Sequence, residues 1–262
     1  IWPDLALSGS SITSLLKGIG THRQSISLFM KDFLMGEREY FIFDGTGLIS
    51  LSERMQDNQI GYNSKGIYDP QINLLYAFMG GQNGGMPAYY RKFPGSIRDI
   101  STFSSLISEM NISDTVVIAD KGFGSTSNFN DLDESGLKYI VPLRRNNQMY
   151  DRTPLKSADK SGFDGAFQFS DRPIWHYSQN AGQGHVLSVF LDGALRLKEE
   201  QDYMRRLFER HEGYSEEGLR ARQLEFGTIV LKTNLTETAE KIYHLYKKRM
   251  QIEQFFDDYK NL

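Results

Sequence analysis

The chain contains no cysteine, which excludes disulfides and thiolate metal sites and leaves oxygen and imidazole as the available metal donors. Its five histidines, His22, His176, His185, His211 and His244, show no ligand spacing, which argues against zinc. No apolar run approaches the roughly 20 residues that span a bilayer, and Ile1 begins no signal-peptide pattern. A cytoplasmic address with no membrane partner is therefore expected. An excess of positive charge is also missing: 30 Lys and Arg against 33 Asp and Glu leave a net charge of −3. Nucleic-acid binding rests on cations neutralising phosphates, so the surface as a whole is no nucleic-acid glove, although a local basic groove remains open. The chain lacks an initiator Met and stops just after Lys260 inside a helical pattern. We read it as a trimmed piece, with room for a basic domain outside it.

What is there is an ordinary globular composition, 39% hydrophobic and 24% charged over 262 residues. Residues 1–36 read as a helical lead-in, with Ser10 or Ser11 capping "ITSLLKGI". The character then changes. "YFIF" is a buried strand that should end in Asp44 and a turn at Gly45 and Gly47, and "INLLYAFM" and "PAYYRKFPGS" are further extended pieces. "DISTFSSLISEM" reads as a helix capped by Asp99 or Ser101, "VVIADKG" as a strand into Asp120, "STSNFNDLDESGL" as a helix closed by Gly136, and "KYIVPLRRN" as a strand. Strands alternating with helices define an α/β core. Residues 151–226 loosen into a β-rich piece and a charge-dense helix, as an insertion would, before "GTIVLKTNL" restores a clean strand. The last segment, "TETAEKIYHLYKKRMQIEQFFDDYK", reads as one helix capped within Thr236–Thr238.

Chemistry gathers where "FIFDG" and "VIADKG" each end an apolar run in an Asp beside a glycine. A lone Asp after a buried strand is ordinarily a turn or cap residue. Two in one sheet are a different matter, because α/β sheets bind ligands beyond the carboxyl ends of their strands. If the strands are neighbours, Asp44 and Asp120 repel one another and need a shared proton or a cation between them. Hard oxygen donors favour Mg2+ or Mn2+. In the last helix, Tyr246, Arg249, Glu253 and Lys260 are separated by three, four and seven residues. That spacing places them within an arc of roughly 60°. The plain reading is a solvated face of i,i+4 pairs. The functional one makes Glu253 a third carboxylate on a helix that also carries phosphate-binding cations.

"YKKRMQIEQFFDDYK" fits without mismatch the Tyr-x2-Arg-x3-Glu-x6-Lys signature of the insertion-sequence-four group of DDE transposases, and the chain resembles that group from about residue 37 to 262. "FIFDGTG" and "VVIADKGF" resemble its two Asp strands, and "LKTNL" the strand before its Glu helix. The resemblance implies an RNase H-like α/β core, a mixed sheet flanked by helices, with a β-rich insertion before the Glu helix. It implies that Asp44, Asp120 and Glu253 hold two Mg2+ ions, with Mn2+ able to substitute, and that Tyr246, Arg249 and Lys260 contact DNA, with Lys121 and Asn234 as further candidates. The implied reaction is cleavage of transposon-end phosphodiesters and strand transfer into target DNA. It would be carried out on double-stranded DNA by a homodimer at the prokaryotic nucleoid. Arg144 and Arg145 could also meet phosphate.

Met250 departs from the group, many members of which carry Trp there. Two rival readings fit the residues less well. "FIFDGTG" superficially resembles the Asp-x-Asp-Gly-Thr loop of haloacid-dehalogenase phosphatases, but Ile42 stands where the nucleophilic Asp belongs. A domesticated, inactive DNA-binding relative would ordinarily have lost one of the three acids, and all three are present.

Overall fold

The computed structural model describes residues 8–34, 39–62, 67–81, 84–97, 103–113 and 115–260. Two helices lead in, α1 (Gly9–Thr21) and α2 (Arg23–Leu34). Ser8, not Ser10 or Ser11, is the N-cap of α1, its hydroxyl accepting from Ser11 N. α2 reaches the strand that carries Tyr89 through Ser27 Oγ, 3.2 Å from the Tyr89 hydroxyl.

Ten described strands form one mixed sheet. β1 (Tyr40–Ile49) lies antiparallel to the long β3 (Tyr68–Gly81), whose other edge is shared by β2 (Gln59–Tyr62) and β4 (Gly84–Pro94). On its opposite side β1 runs parallel to β5 (Val116–Ala119), which runs parallel to β6 (Lys138–Pro142). Beyond β6 the sheet continues antiparallel through β10 (Thr228–Thr233), β9 (His185–Asp192), β8 (Arg172–Gly182) and β7 (Gly165–Phe169). The strands of the loosely patterned 151–226 stretch thus extend the same sheet. Their β7–β8 hairpin turns on Ser170 and Asp171, both at positive φ, the conformation that matches strand twist in a two-residue turn.

Both faces of the central strands are buried, so their apolar runs are continuous. With side chains alternating sides, Phe41 and Phe43 join the core under α3 (Phe103–Met110) and α4 (Thr126–Glu134), while Tyr40 and Ile42 face the opposite way. There α8 (Ala239–Lys247) buries Ile242 and Tyr243 on β6, β9 and β10, and α9 (Met250–Lys260) buries Ile252 and Phe256 on β1, β3 and β5. α5 (Thr153–Lys156), α6 (Gly193–Phe208) and α7 (Glu216–Ala221) complete the helices. The architecture is the α/β class expected, a mixed sheet flanked by helices.

Two further local expectations change. β1 does not end at Asp44: Gly45, Thr46 and Gly47 stay paired with Leu75, Leu74 and Asn73, because β3 is long enough to carry the ladder onward. The last helix is two, capped by Thr238 Oγ1 and interrupted at Lys248 and Arg249. The chain keeps its helical path there through i→i−3 bonds, from Lys248 N to Leu245 O and from Arg249 N to Tyr246 O. The proposed α3 caps, Asp99 and Ser101, lie outside the described residues. No described helix is long and apolar enough to cross a membrane.

Candidate active site

The register of two parallel strands builds the site. Phe43 of β1 stands beside Ala119 of β5, so Asp44 and Asp120 are the next residues on neighbouring strands. Alternation puts Asp44 on the face of Ile42 and Asp120 on that of Ile118, the face α9 covers. Asp120 precedes a single 3-10 turn over Lys121–Phe123, yet its side chain makes no capping bond. Its carboxylate is free for other work, against the plain reading of a strand-end Asp as a cap. Asp44 Oδ1 accepts one bond, from Gly45 N at 2.9 Å.

α9 is seated by apolar contacts and by one polar pin, the Tyr40 hydroxyl donating to Gln251 Oε1 at 3.0 Å. The Tyr40 ring fits because residue 80 is glycine; a Cβ there would lie 2.1 Å from the ring. This seating delivers the α8–α9 junction to the two aspartates. Arg249 Nη2 lies 3.1 Å from Asp44 Oδ2 and 3.1 Å from Glu253 Oε1, and its Nη1 lies 3.1 Å from Asp120 Oδ1. Three carboxylates from two strands and a helix converge on one guanidinium. The Arg249 and Asp44 side chains are each 15% exposed and Glu253 54%, so the cluster is walled on the sheet side and open at the helix.

The charges show in the titration. Burial pushes the Asp44 carboxyl up, Arg249 pulls it down, Asp120 pushes it up again, and the net direction is up. Burial disfavours the Arg249 cation, but Asp44 and Asp120 overcome that and hold its proton more tightly than usual. Burial likewise raises the Tyr246 phenol, with Arg249 opposing.

A groove of about 880 Å³ opens beside the cluster, lined by Asp120, Lys121, Arg144, Tyr246, Arg249 and Glu253 among others. Lys121 and Arg144 are exposed. Arg145 is not available in the same way: its guanidinium forks onto Glu199 of α6 at 2.8 and 2.9 Å, and Glu199 also accepts from Gly227 N. Asn234 is committed too, its amide receiving Tyr139 N and donating to Leu137 O along β6. Lys260 ends α9, and its side chain lies outside the described ones. Sequence reasoning missed Glu199 and Gln251, because nothing in a charge-dense or amphipathic helix marks which polar residue finds a distant partner.

Three carboxylates are hard oxygen donors suited to Mg2+ or Mn2+. Among the described residues, however, no three His, Cys, Asp or Glu groups already stand as a metal-binding cluster, and the carboxylates share a guanidinium instead. The donor chemistry fits a divalent cation.

The α/β domain thus gathers three acids from two adjacent strands and a covering helix. The family model described as "Transposase DDE domain" matches residues 38–262, and the chain belongs to that family. No curated protein matches the sequence. Among solved structures, the chain is similar to the piggyBac transposase in the cryo-EM structure of its synaptic complex with hairpin DNA. That match has 13% identity and a TM-score of 0.49, and covers 95% of this chain. The chain spans 47% of the piggyBac chain, about half its length.

Proposed function

We propose that this chain is the catalytic portion of an insertion-sequence transposase of the insertion-sequence-four group, cleaving transposon-end phosphodiesters and joining the ends to target DNA. The observation that carries the reading is the convergence of Asp44, Asp120 and Glu253 within a chain of the transposase DDE family. The proposed division is a lead-in over 1–36 and a catalytic domain over 37–262, with an insertion at about 151–226. The partners are double-stranded DNA and a second copy of the chain, in the prokaryotic cytoplasm at the nucleoid.

In this reading Asp44, Asp120 and Glu253 hold two divalent cations, Mg2+ or Mn2+. Bound there, the ions would activate a water or 3′-hydroxyl nucleophile and stabilise the leaving oxygen. The chain's own residues do the rest. The sheet fixes Asp44 and Asp120 side by side, so these two acids need no rearrangement to face one phosphate. Glu253 enters on α9, which the Tyr40–Gln251 bond and the Phe256 contacts hold against the sheet. Tyr246 and Arg249 present a phenol and a planar cation to the DNA backbone, and Lys121, Arg144 and Lys260 supply point or fork charges along it. Asn234 supports the site through β6.

The test is incubation of the full-length protein with its own terminal repeats and Mg2+, mapping the cleaved phosphates. Asp44→Ala, Asp120→Ala and Glu253→Ala should each abolish cleavage while the circular-dichroism spectrum stays that of the parent. Undiminished cleavage by the triple variant would remove the proposal.

A further inference from the structure

We propose that Arg249 is the resident counter-cation of the metal-free site, so that its guanidinium and divalent cations occupy the carboxylate cluster by exclusion of one another. The inference rests on the reading of Asp44, Asp120 and Glu253 as metal ligands and adds how that site is kept before metal arrives.

Two arginines near the groove show the contrast. Arg145 makes a bidentate fork on a single carboxylate at 2.8 and 2.9 Å, the geometry of a committed structural pair. Arg249 divides two terminal nitrogens among three carboxylates, each at 3.1 Å. Those distances are longer than the usual 2.7–2.9 Å of a charge-assisted bond. Its Nε is buried and has no hydrogen-bond partner among the described residues. A guanidinium shared three ways with an idle donor is a cation held by the local field more than by matched geometry.

The charges give the reason for the arrangement. Three carboxylates facing one guanidinium leave an excess of two negative charges. Without Arg249 the Asp44 and Asp120 carboxylates would face each other across adjacent strands with nothing between them. Arg249 therefore keeps the ligands gathered, and it also stands where they meet. A divalent cation that binds all three must displace it.

The route out is present as well. Arg249 lines the groove that Lys121 and Arg144 also line, and it sits at the i→i−3 bonded junction between α8 and α9. A DNA phosphate entering that groove offers the guanidinium a different acceptor. Arg249 would thus pass from carboxylates to phosphate as metal loads.

Mn2+ binding, read from the electron paramagnetic resonance of the free ion, tests this without any cleavage assay. The parent chain, Arg249→Gln and Arg249→Ala are titrated without DNA, and Asp44→Asn/Asp120→Asn provides the background from other sites. The two Arg249 variants should bind Mn2+ at least about tenfold more tightly than the parent, a conservative reading of one close charge removed from a partly buried site. Their melting temperatures should lie below the parent's in EDTA and gain more on adding Mn2+. If Arg249→Ala does not fold, Arg249→Gln, which keeps most of the side chain's bulk, decides the matter. Parent and variants binding within about twofold of each other, or variants binding more weakly, would overturn the exchange while leaving the metal site standing. Mn2+ binding at background level in every variant would overturn both the exchange and the metal-dependent reading.

Discussion

Two charged clusters lie against α8 and α9, and they are built on opposite principles. One is the Asp44, Asp120, Glu253 and Arg249 site, with three carboxylates for one cation. The other lies at the start of α6, where Asp192, fully buried, caps the helix through Leu195 N and pairs with Arg172 at 3.1 Å. Tyr243 is buried nearby, its phenol pushed up by burial first and by Asp192 next. Asp192 has one cation beside it, in ion-pair contact without hydrogen-bond geometry, and a helix N-terminus, so a single carboxylate is neutralised. The aspartates of the first cluster are not. A cluster that balances itself holds the fold together, whereas one left with surplus charge of a single sign is incomplete without another ion. The difference separates scaffold from site among residues that look alike in sequence, since Asp192 also follows an apolar strand and precedes a glycine in "VFLDG".

Stability measurements sharpen that comparison. Asp192→Ala should cost about 3 kcal/mol in urea unfolding, from the lost cap and from leaving Arg172 without its buried partner. The Arg145 fork is the intermediate case. Glu199→Gln should cost about 1–2 kcal/mol, because the loop after β6 loses a partly buried ion pair, though the amide retains an acceptor for Gly227 N. Asp44→Asn should change stability by about 0.5 kcal/mol or less while abolishing cleavage, because the substitution removes repulsion from Asp120 along with attraction to Arg249. A loss at Asp44 as large as that at Asp192 would erase the distinction between the two clusters.

The smallest effect concerns pH. Burial lowers the His176 pKa, against the opposing pull of Asp164 and Glu240. A depressed folded value means that the unfolded chain takes up the proton first. His176 therefore costs no stability above its unfolded pKa of about 6.5, and stability is lost as pH falls through that value. Urea midpoints at pH 7.5 and 5.5 should show a smaller acid-side drop in His176→Gln than in the parent.

Much of this is legible in the sequence. The apolar runs "YFIF" and "VVIA" are buried on both faces and sit side by side, as central parallel strands do, and their aspartates fall at one level of the sheet. That β1 continues past Asp44 was not legible, since Gly45 and Gly47 look like turn residues and are kept extended by pairing with a distant strand. The break between α8 and α9 was hidden for a similar reason. "YKKRMQIEQ" contains no Gly or Pro, and the shortened turn there has no local sequence signal. The spacing of Arg249 and Glu253 announced an i,i+4 pair, which is present, but not that two strands more than a hundred residues earlier would share the guanidinium. Long-range partners are the part of a site that periodicity does not encode.

The central claim is that the surplus-negative cluster is completed by divalent cations. The most direct measurement is anomalous diffraction from crystals of the chain grown with Mn2+. The account predicts an anomalous peak bounded by Asp44, Asp120 and Glu253, with the Arg249 guanidinium turned away from all three. Arg249 still bridging the three carboxylates at saturating Mn2+, with no peak among them, would contradict it.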